Sequence, residues 1–238
     1  MRNAWLIARR ELVSYFTSPV AYAVTAVFLL VVGVFFGLIL FFSREATLRY
    51  LFYNTSTFLL LLIGPALTMR LVAEERKSGT IELLLTAPVR DGEVIAGKFA
   101  AALVLWVLML ALTLPYPLLL SRVGNPDLGP IASGYLGLVL SGSAVLAIGV
   151  LASTLTANQI IAALAAFGMG LLLWVTDAFQ SLVSGPLGSF FSYLSLSTHY
   201  YDLAKGVIDT KDVVYFLSVS VAALFLATRI LEARRWKA

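Results

Sequence analysis

The sequence predicts an all-α integral membrane protein with six transmembrane helices. Three observations carry this: 60% of the 238 residues are hydrophobic and 13% charged, the mean hydropathy is +0.93, and long runs carry no charge at all. This composition excludes an ordinary soluble domain, and residues 1–238 read as a single transmembrane domain. With no cysteine and only one histidine, His199, thiol chemistry and most transition-metal sites drop out. The formal charge of +4 and pI near 9.4 fit basic cytoplasmic loops, so no nucleic acid partner is expected.

The elements follow in chain order. Residues 1–19 lack a compact apolar core ending in a cleavage site, so they do not read as a cleavable signal. Residues 3–17 read as an amphipathic elbow helix. Trp5, Ala8, Leu12, Tyr15 and Phe16 share one face, and Asn3, Arg10, Glu11 and Ser14 lie opposite. With Arg9 beside Arg10, such a basic, aromatic helix belongs in the membrane interface.

A span needs about 20 mostly apolar residues. Pro19 marks the turn into the first span, about 20–42, and the uncharged run from Tyr50 to Met69 gives the second, about 50–73. The third covers about 98–120. Residues 128–176 are uncharged for 49 residues, too long for one crossing, and the polar "STLTANQ" (153–159) divides them into spans 132–154 and 158–179. The sixth covers 213–231, where Arg229 can snorkel. Residues 178–201 are also uncharged, but their serines and the Gly-Pro-Leu-Gly break make a poor lipid-facing helix. Such backbone is tolerated only against protein or a cavity. They read as an extracytoplasmic pair of re-entrant or surface helices. With six spans both termini share a side. Twelve of the 17 Arg and Lys then fall on that side, leaving Arg44, Arg49, Arg122, Lys205 and Lys211 opposite. Both termini are therefore expected in the cytoplasm.

"EERKSGTIELLLTAPVRDGE" (74–93) then becomes a cytoplasmic loop between spans two and three. Gly79 can start a short helix over about 80–87, with Glu82 in its first turn, where the helix dipole favours an acid. Pro88 ends it. Two exposed turns carrying Ile81, Leu84 and Leu85 are marginal in water alone, so a membrane surface or a groove on a partner must cover them. The flanking Glu74, Glu75, Asp91 and Glu93 favour the partner over anionic lipid.

"TSPVAY" (17–22), "PALTMR" (65–70), "ERKSGTIELLLTAP" (75–88), "STLTANQIIA" (153–162) and "KGVIDTKDVVYF" (205–216) together resemble ABC-2 type transporter permeases, in particular the permease subunit of gliding-motility-associated ABC transporters. The resemblance implies a coupling helix that docks into a separate ATPase subunit through Glu75, Arg76, Gly79, Thr80, Ile81, Glu82, Leu84, Leu85 and Pro88. It also implies an elbow helix through Trp5, Arg9, Arg10, Leu12 and Phe16. A permease dimer with two ATPase subunits in a bacterial inner membrane is the implied assembly. ATP and magnesium would be bound by the partner and not by this chain.

Other signals are weaker. "GEVIAGKF" (92–99) nearly matches a P-loop, but Phe99 replaces the hydroxyl residue that would hold magnesium and no strand precedes it. Gly33 and Gly37 form a Gly-x-x-x-Gly pair suited to close helix approach in a dimer. Asp177 stands at a span end, where it faces water. A serine protease built from His199 and "LSGSA" (140–144) would need serine and histidine on facing spans. The spans hold no relay of acids or histidines, which disfavours an ion-coupled carrier. Two readings remain: an exporter of a lipid or amphipathic cargo, or a membrane subunit that passes ATPase motion to a periplasmic-domain partner.

Overall fold

The computed structural model describes residues 2–43, 47–80, 89–181 and 185–235, and no strand occurs among them. Helix α1 (Arg2–Thr17) turns at Ser18 into α2 (Pro19–Ser43). A π-helical turn (Leu51–Ser56) leads into α3 (Thr57–Thr68) and α4 (Arg70–Lys77). Next come α5 (Asp91–Ala111), α6 (Pro115–Val123), α7 (Leu128–Leu155) and α8 (Gln159–Val175). A 3-10 turn (Thr176–Ser181) precedes α9 (Pro186–Leu194), α10 (Leu196–Lys205) and α11 (Thr210–Arg235).

Helix α7 is the centre of the bundle. It packs against α3, α4, α5, α8, α10 and α11, and 83% of its most apolar stretch is buried, against 11% for α2. Its sequence explains this. Gly, Ala and Ser recur through "LSGSAVLAIGVLAS", and small residues let helix backbones approach where lipid supplies no hydrophobic drive between helices. Trp106 of α5 uses the resulting groove. Its indole Nε1 donates to the Leu138 carbonyl at 2.9 Å, and Phe28 meets the ring edge-on at 5.6 Å.

The expected break in the long uncharged run is present at Thr156–Asn158. Asn158 Oδ1 accepts from the amides of Ile160 and Ile161 and so caps α8, while Asp127 caps α7 through the Gly129 amide. Five described helical stretches are long and apolar enough to cross a membrane: Pro19–Phe42, Asp91–Arg122, Leu128–Leu155, Gln159–Phe179 and Thr210–Ala233. The expected second span, 50–73, is not one of them, because its helix is divided at Ser56 and again at Met69.

The segment before the last span forms two short helices, α9 and α10. Of these, α10 is part of the bundle: Leu196, Tyr200 and Leu203 are buried, and Tyr200 donates to the Phe52 carbonyl at 3.0 Å. His199 is buried with it. Its Nδ1 lies 2.6 Å from Asp212 Oδ1 of α11 and its Nε2 3.0 Å from the Tyr193 carbonyl. Both ring nitrogens are thus engaged, one by a carboxylate and one by a backbone carbonyl, and neither faces a serine as a protease base would.

Candidate functional site

The expected coupling helix lies largely outside the described residues, which omit Ile81, Glu82, Leu84, Leu85 and Pro88. The helices on either side of it are well defined. Helix α4 carries Glu75 and Arg76 up to the loop, where Ser78 ends the helix and Gly79 takes a left-handed φ of 73° suited to glycine. Thr80 Oγ1 lies 2.9 Å from Ser78 Oγ and donates to the Glu75 carbonyl at 3.4 Å, folding the start of the loop back onto α4. Beyond the loop, Arg90 and Asp91 open α5.

A buried ion-pair cluster ties this region to α1. Lys98 of α5 has a side chain only 1% exposed, and its Nζ lies 2.8 Å from Glu11 Oε1 and 2.9 Å from Glu75 Oε1. Arg10 touches the same two oxygens, at 2.9 Å and 2.6 Å. Burial pushes the Glu11 carboxyl up, but Lys98 and Arg10 outweigh it and hold Glu11 below its ordinary value. A buried ammonium is costly unless paired in this way. The sequence singles out two of the four residues, Arg10 and Glu75. It places Glu11 only on the polar face of α1 and offers Lys98 only as the lysine of a near P-loop; the cluster accounts for that lysine without a nucleotide. The second Glu75 oxygen, Oε2, is buried with no hydrogen-bond partner among the described residues. Glu75 borders a cavity of about 600 Å³ that also reaches Arg70, Glu74, Ser78 and Thr80.

The face of α1 bearing Asn3, Arg10 and Glu11 meets protein: Asn3 donates to Glu93 at 3.2 Å and Glu11 pairs with Lys98. Helix α1 therefore lies against α5. The approach is close because Gly97 faces it: a Cβ there would stand 2.7 Å from the Ala4 carbonyl oxygen. Ile7, Ala8 and Tyr15 are buried, and Leu12 packs on the core. Trp5, Leu6, Val13 and Phe16 stay exposed, and Arg9 is exposed too.

The junction of α3 and α4 is built by three helices. Kinks arise where a side chain enters the backbone ladder, and here two do. Ser153 of α7 accepts from the amides of Val72 and Ala73 at 3.0 Å each and donates to the Met69 carbonyl at 3.0 Å. Tyr15 of α1 donates to the Leu67 carbonyl at 2.6 Å; burial raises its phenol well above the ordinary tyrosine value, so it stays a donor. Arg70 lies over the Tyr15 ring at 4.7 Å and donates to Ser18 at 3.1 Å. Arg76 donates to the Thr154 carbonyl at 2.9 Å, the next residue along α7. The "STLTANQ" stretch, read from sequence only as a divider between spans, thus supplies polar contacts that hold α4 to α7.

The other glycine pair behaves unequally. A Cβ at Gly33 would stand 3.1 Å from the Tyr116 hydroxyl of α6, so this glycine serves packing within the chain, whereas Gly37 faces open space. Among the described residues no group of three or more His, Asp or Glu is placed to hold a metal.

A family model described as ABC-2 family transporter protein matches residues 5–232. No curated protein matches the chain as a relative.

Proposed function

The chain belongs to the ABC-2 family of transporter proteins, and we propose that it is the permease subunit through which a separate ATPase drives an exporter. A membrane permease component of an ABC transporter, with an ABC ATPase as its general partner, follows from the family itself. The finer reading rests on one observation: the helix entering the loop at 80–87 is fixed at both ends by other helices. The ion pairs of Glu75 join α4 to α1 and α5, and Ser153 joins it to α7. Force applied to that loop therefore reaches the central helix through short, buried contacts. On this reading Ile81, Leu84 and Leu85 seat in the ATPase groove, with Glu82 in the first turn and Pro88 at its end. Two permease copies work with two ATPase subunits, and Gly37 with the exposed face of α2 meets the second copy. The segment 50–73 is the remaining crossing, since 24 residues at about 1.5 Å each span a bilayer core of about 30 Å even when kinked. The exposed apolar face of α1 rests in lipid at the inner-membrane surface.

Leu84→Ala with Leu85→Ala tests the coupling reading. Truncating a buried anchor costs about 2 kcal/mol or more, roughly a thirtyfold loss in affinity. The double variant is expected to lose its ATPase on co-purification while remaining folded in the membrane, and the chain alone should hydrolyse no ATP. Glu82→Ala should cost less, about 0.3–1 kcal/mol. Retention of the ATPase at wild-type yield and activity would overturn the assignment.

Orientation is tested separately in this cysteine-free chain. Leu187→Cys, at a residue 64% exposed on α9, should react with a membrane-impermeant thiol reagent from outside intact cells. Ser78→Cys should react only after permeabilisation. The opposite pattern would place both termini outside.

A further inference from the structure

At the end of the bundle opposite the ion-pair cluster lies a cavity of about 890 Å³ between the start of the 50–73 segment, the turn before α7, and α10. Its walls are of two kinds. Phe52, Pro130, Ile131 and Ala204 are apolar, while Arg49 and Lys205 bring positive charge. Tyr50, Tyr53 and Tyr201 stand at its rim, each between 40% and 51% exposed. Tyr53 meets Tyr201 edge-on at 4.8 Å, and the Lys205 ammonium sits 3.5 Å from the centre of the Tyr201 ring.

The charge is only partly neutralised from within, by Asp127, which also lines the cavity. Lys205 makes no ion pair among the described residues, because the neighbouring acids Asp202 and Asp209 pair with Lys211. Arg49 reaches Asp127 only at 3.7 Å, and Asp127 is 70% exposed. A guanidinium and an ammonium at one apolar, tyrosine-rimmed cavity match a phosphate that carries hydrocarbon. Arginine forks onto phosphate oxygens, lysine adds a point charge, and tyrosines sit at headgroup level in membrane interfaces.

We propose that this cavity binds the phosphodiester headgroup of an anionic lipid, held between Arg49 and Lys205. The proposal stands independently of the coupling reading, since it uses neither the loop nor the ATPase.

The full-length chain in neutral detergent is titrated with dioleoylphosphatidylglycerol, dioleoylphosphatidylcholine or inorganic phosphate, and bound molecules are counted by native mass spectrometry. One phosphatidylglycerol per chain is expected to bind at least tenfold more tightly than phosphatidylcholine. Arg49→Gln and Lys205→Gln should each weaken it about tenfold, as loss of a charge-assisted hydrogen bond does. Arg122→Gln removes an exposed cation that does not line the cavity and should leave affinity unchanged. Asp127→Asn keeps the α7 cap but frees Arg49, so affinity should rise; this gain guards against variants that merely misfold. Equal binding of the two lipids, or no effect of Arg49→Gln and Lys205→Gln in chains that still elute as folded protein, would overturn the proposal. Displacement of the lipid by inorganic phosphate at equal concentration would assign the site to free anions and likewise overturn it.

Discussion

Lys98→Met is expected to loosen α1 from the bundle and to lower stability by about 3–5 kcal/mol, the usual cost of removing one partner from a buried ion pair. The lysine side chain is 1% exposed, and the two carboxylates it separates are 14% and 17% exposed. Without it, Glu11 and Glu75 face each other with only Arg10 between them, and Arg10 is 56% exposed, so its share is screened by solvent. The loss should be partly recovered in Lys98→Met with Glu75→Gln, which leaves the single pair Arg10–Glu11. Thermal unfolding of the wild type, the two single variants and the double variant in detergent gives the coupling energy directly. An unchanged melting temperature in Lys98→Met would mean that the cluster holds nothing.

The cluster also sets a pH dependence. Glu11 is held below its ordinary value in the folded chain. Its contribution is fully present above the unfolded-state glutamate value, about 4.3, and is lost as pH falls through the lower folded value. Acid should therefore destabilise the wild type more than it destabilises Glu11→Gln, where that carboxylate is absent.

Some of this architecture is legible in the chain and some is not, for physical reasons. Charge-free runs mark spans because lipid excludes charge, and α2, α5, α7, α8 and α11 appear where those runs lie. Helix α1 is legible as a helix but not in what its polar face meets. The spacing of apolar residues ranks the faces of α1 without saying that a buried lysine, 87 residues on, would claim the polar one. The division of the second span is hidden for a similar reason. "PALTMR" opens with Pro65, which weakens the ladder one turn earlier, but the groups that bind the carbonyls beyond it, Tyr15 and Ser153, lie 52 and 84 residues from them. A weak signal is present: Gly149 and Ser153 are four residues apart and so share one face of α7, a small residue followed by a hydroxyl where a neighbouring helix can come close. The proposed coupling role of Leu84 and Leu85 rests on the sequence alone.

Substitutions at Gly149 and Ser153 should have the other large effect. Gly149 lies against Thr68, the last residue of α3, so closely that an added Cβ would stand 2.0 Å from Thr68 Oγ1 and 2.9 Å from its Cβ. Thr68 is fully buried, and its hydroxyl donates to the Gly64 carbonyl at 2.8 Å, so it has nowhere to turn. Gly149→Ala must therefore push α3 away from α7, at about 1–3 kcal/mol for an overpacked core, and Gly149→Val should cost more. Thr68→Ala should relieve Gly149→Ala only in part, because it removes the 2.0 Å contact and keeps the 2.9 Å one. Ser153→Ala acts on the same joint without adding bulk. It strips the Val72 and Ala73 amides and the Met69 carbonyl of one buried partner, and each group left unsatisfied costs about 1–3 kcal/mol. Ser153→Thr keeps the hydroxyl and should restore much of the loss. The two routes differ in their consequence for coupling. Overpacking by Gly149→Val moves the joint, whereas Ser153→Ala removes the hydroxyl link between α4 and α7 and leaves Arg76 on the Thr154 carbonyl and the ion pairs to α1 and α5 in place. In complex with the ATPase, Ser153→Ala should therefore keep the partner bound and hydrolysing ATP. Nucleotide-driven movement of α7, followed by distance measurements between spin labels, should be reduced, because only the Arg76–Thr154 bond still ties α4 to α7. Full movement of α7 in Ser153→Ala would show that force reaches the bundle by another path.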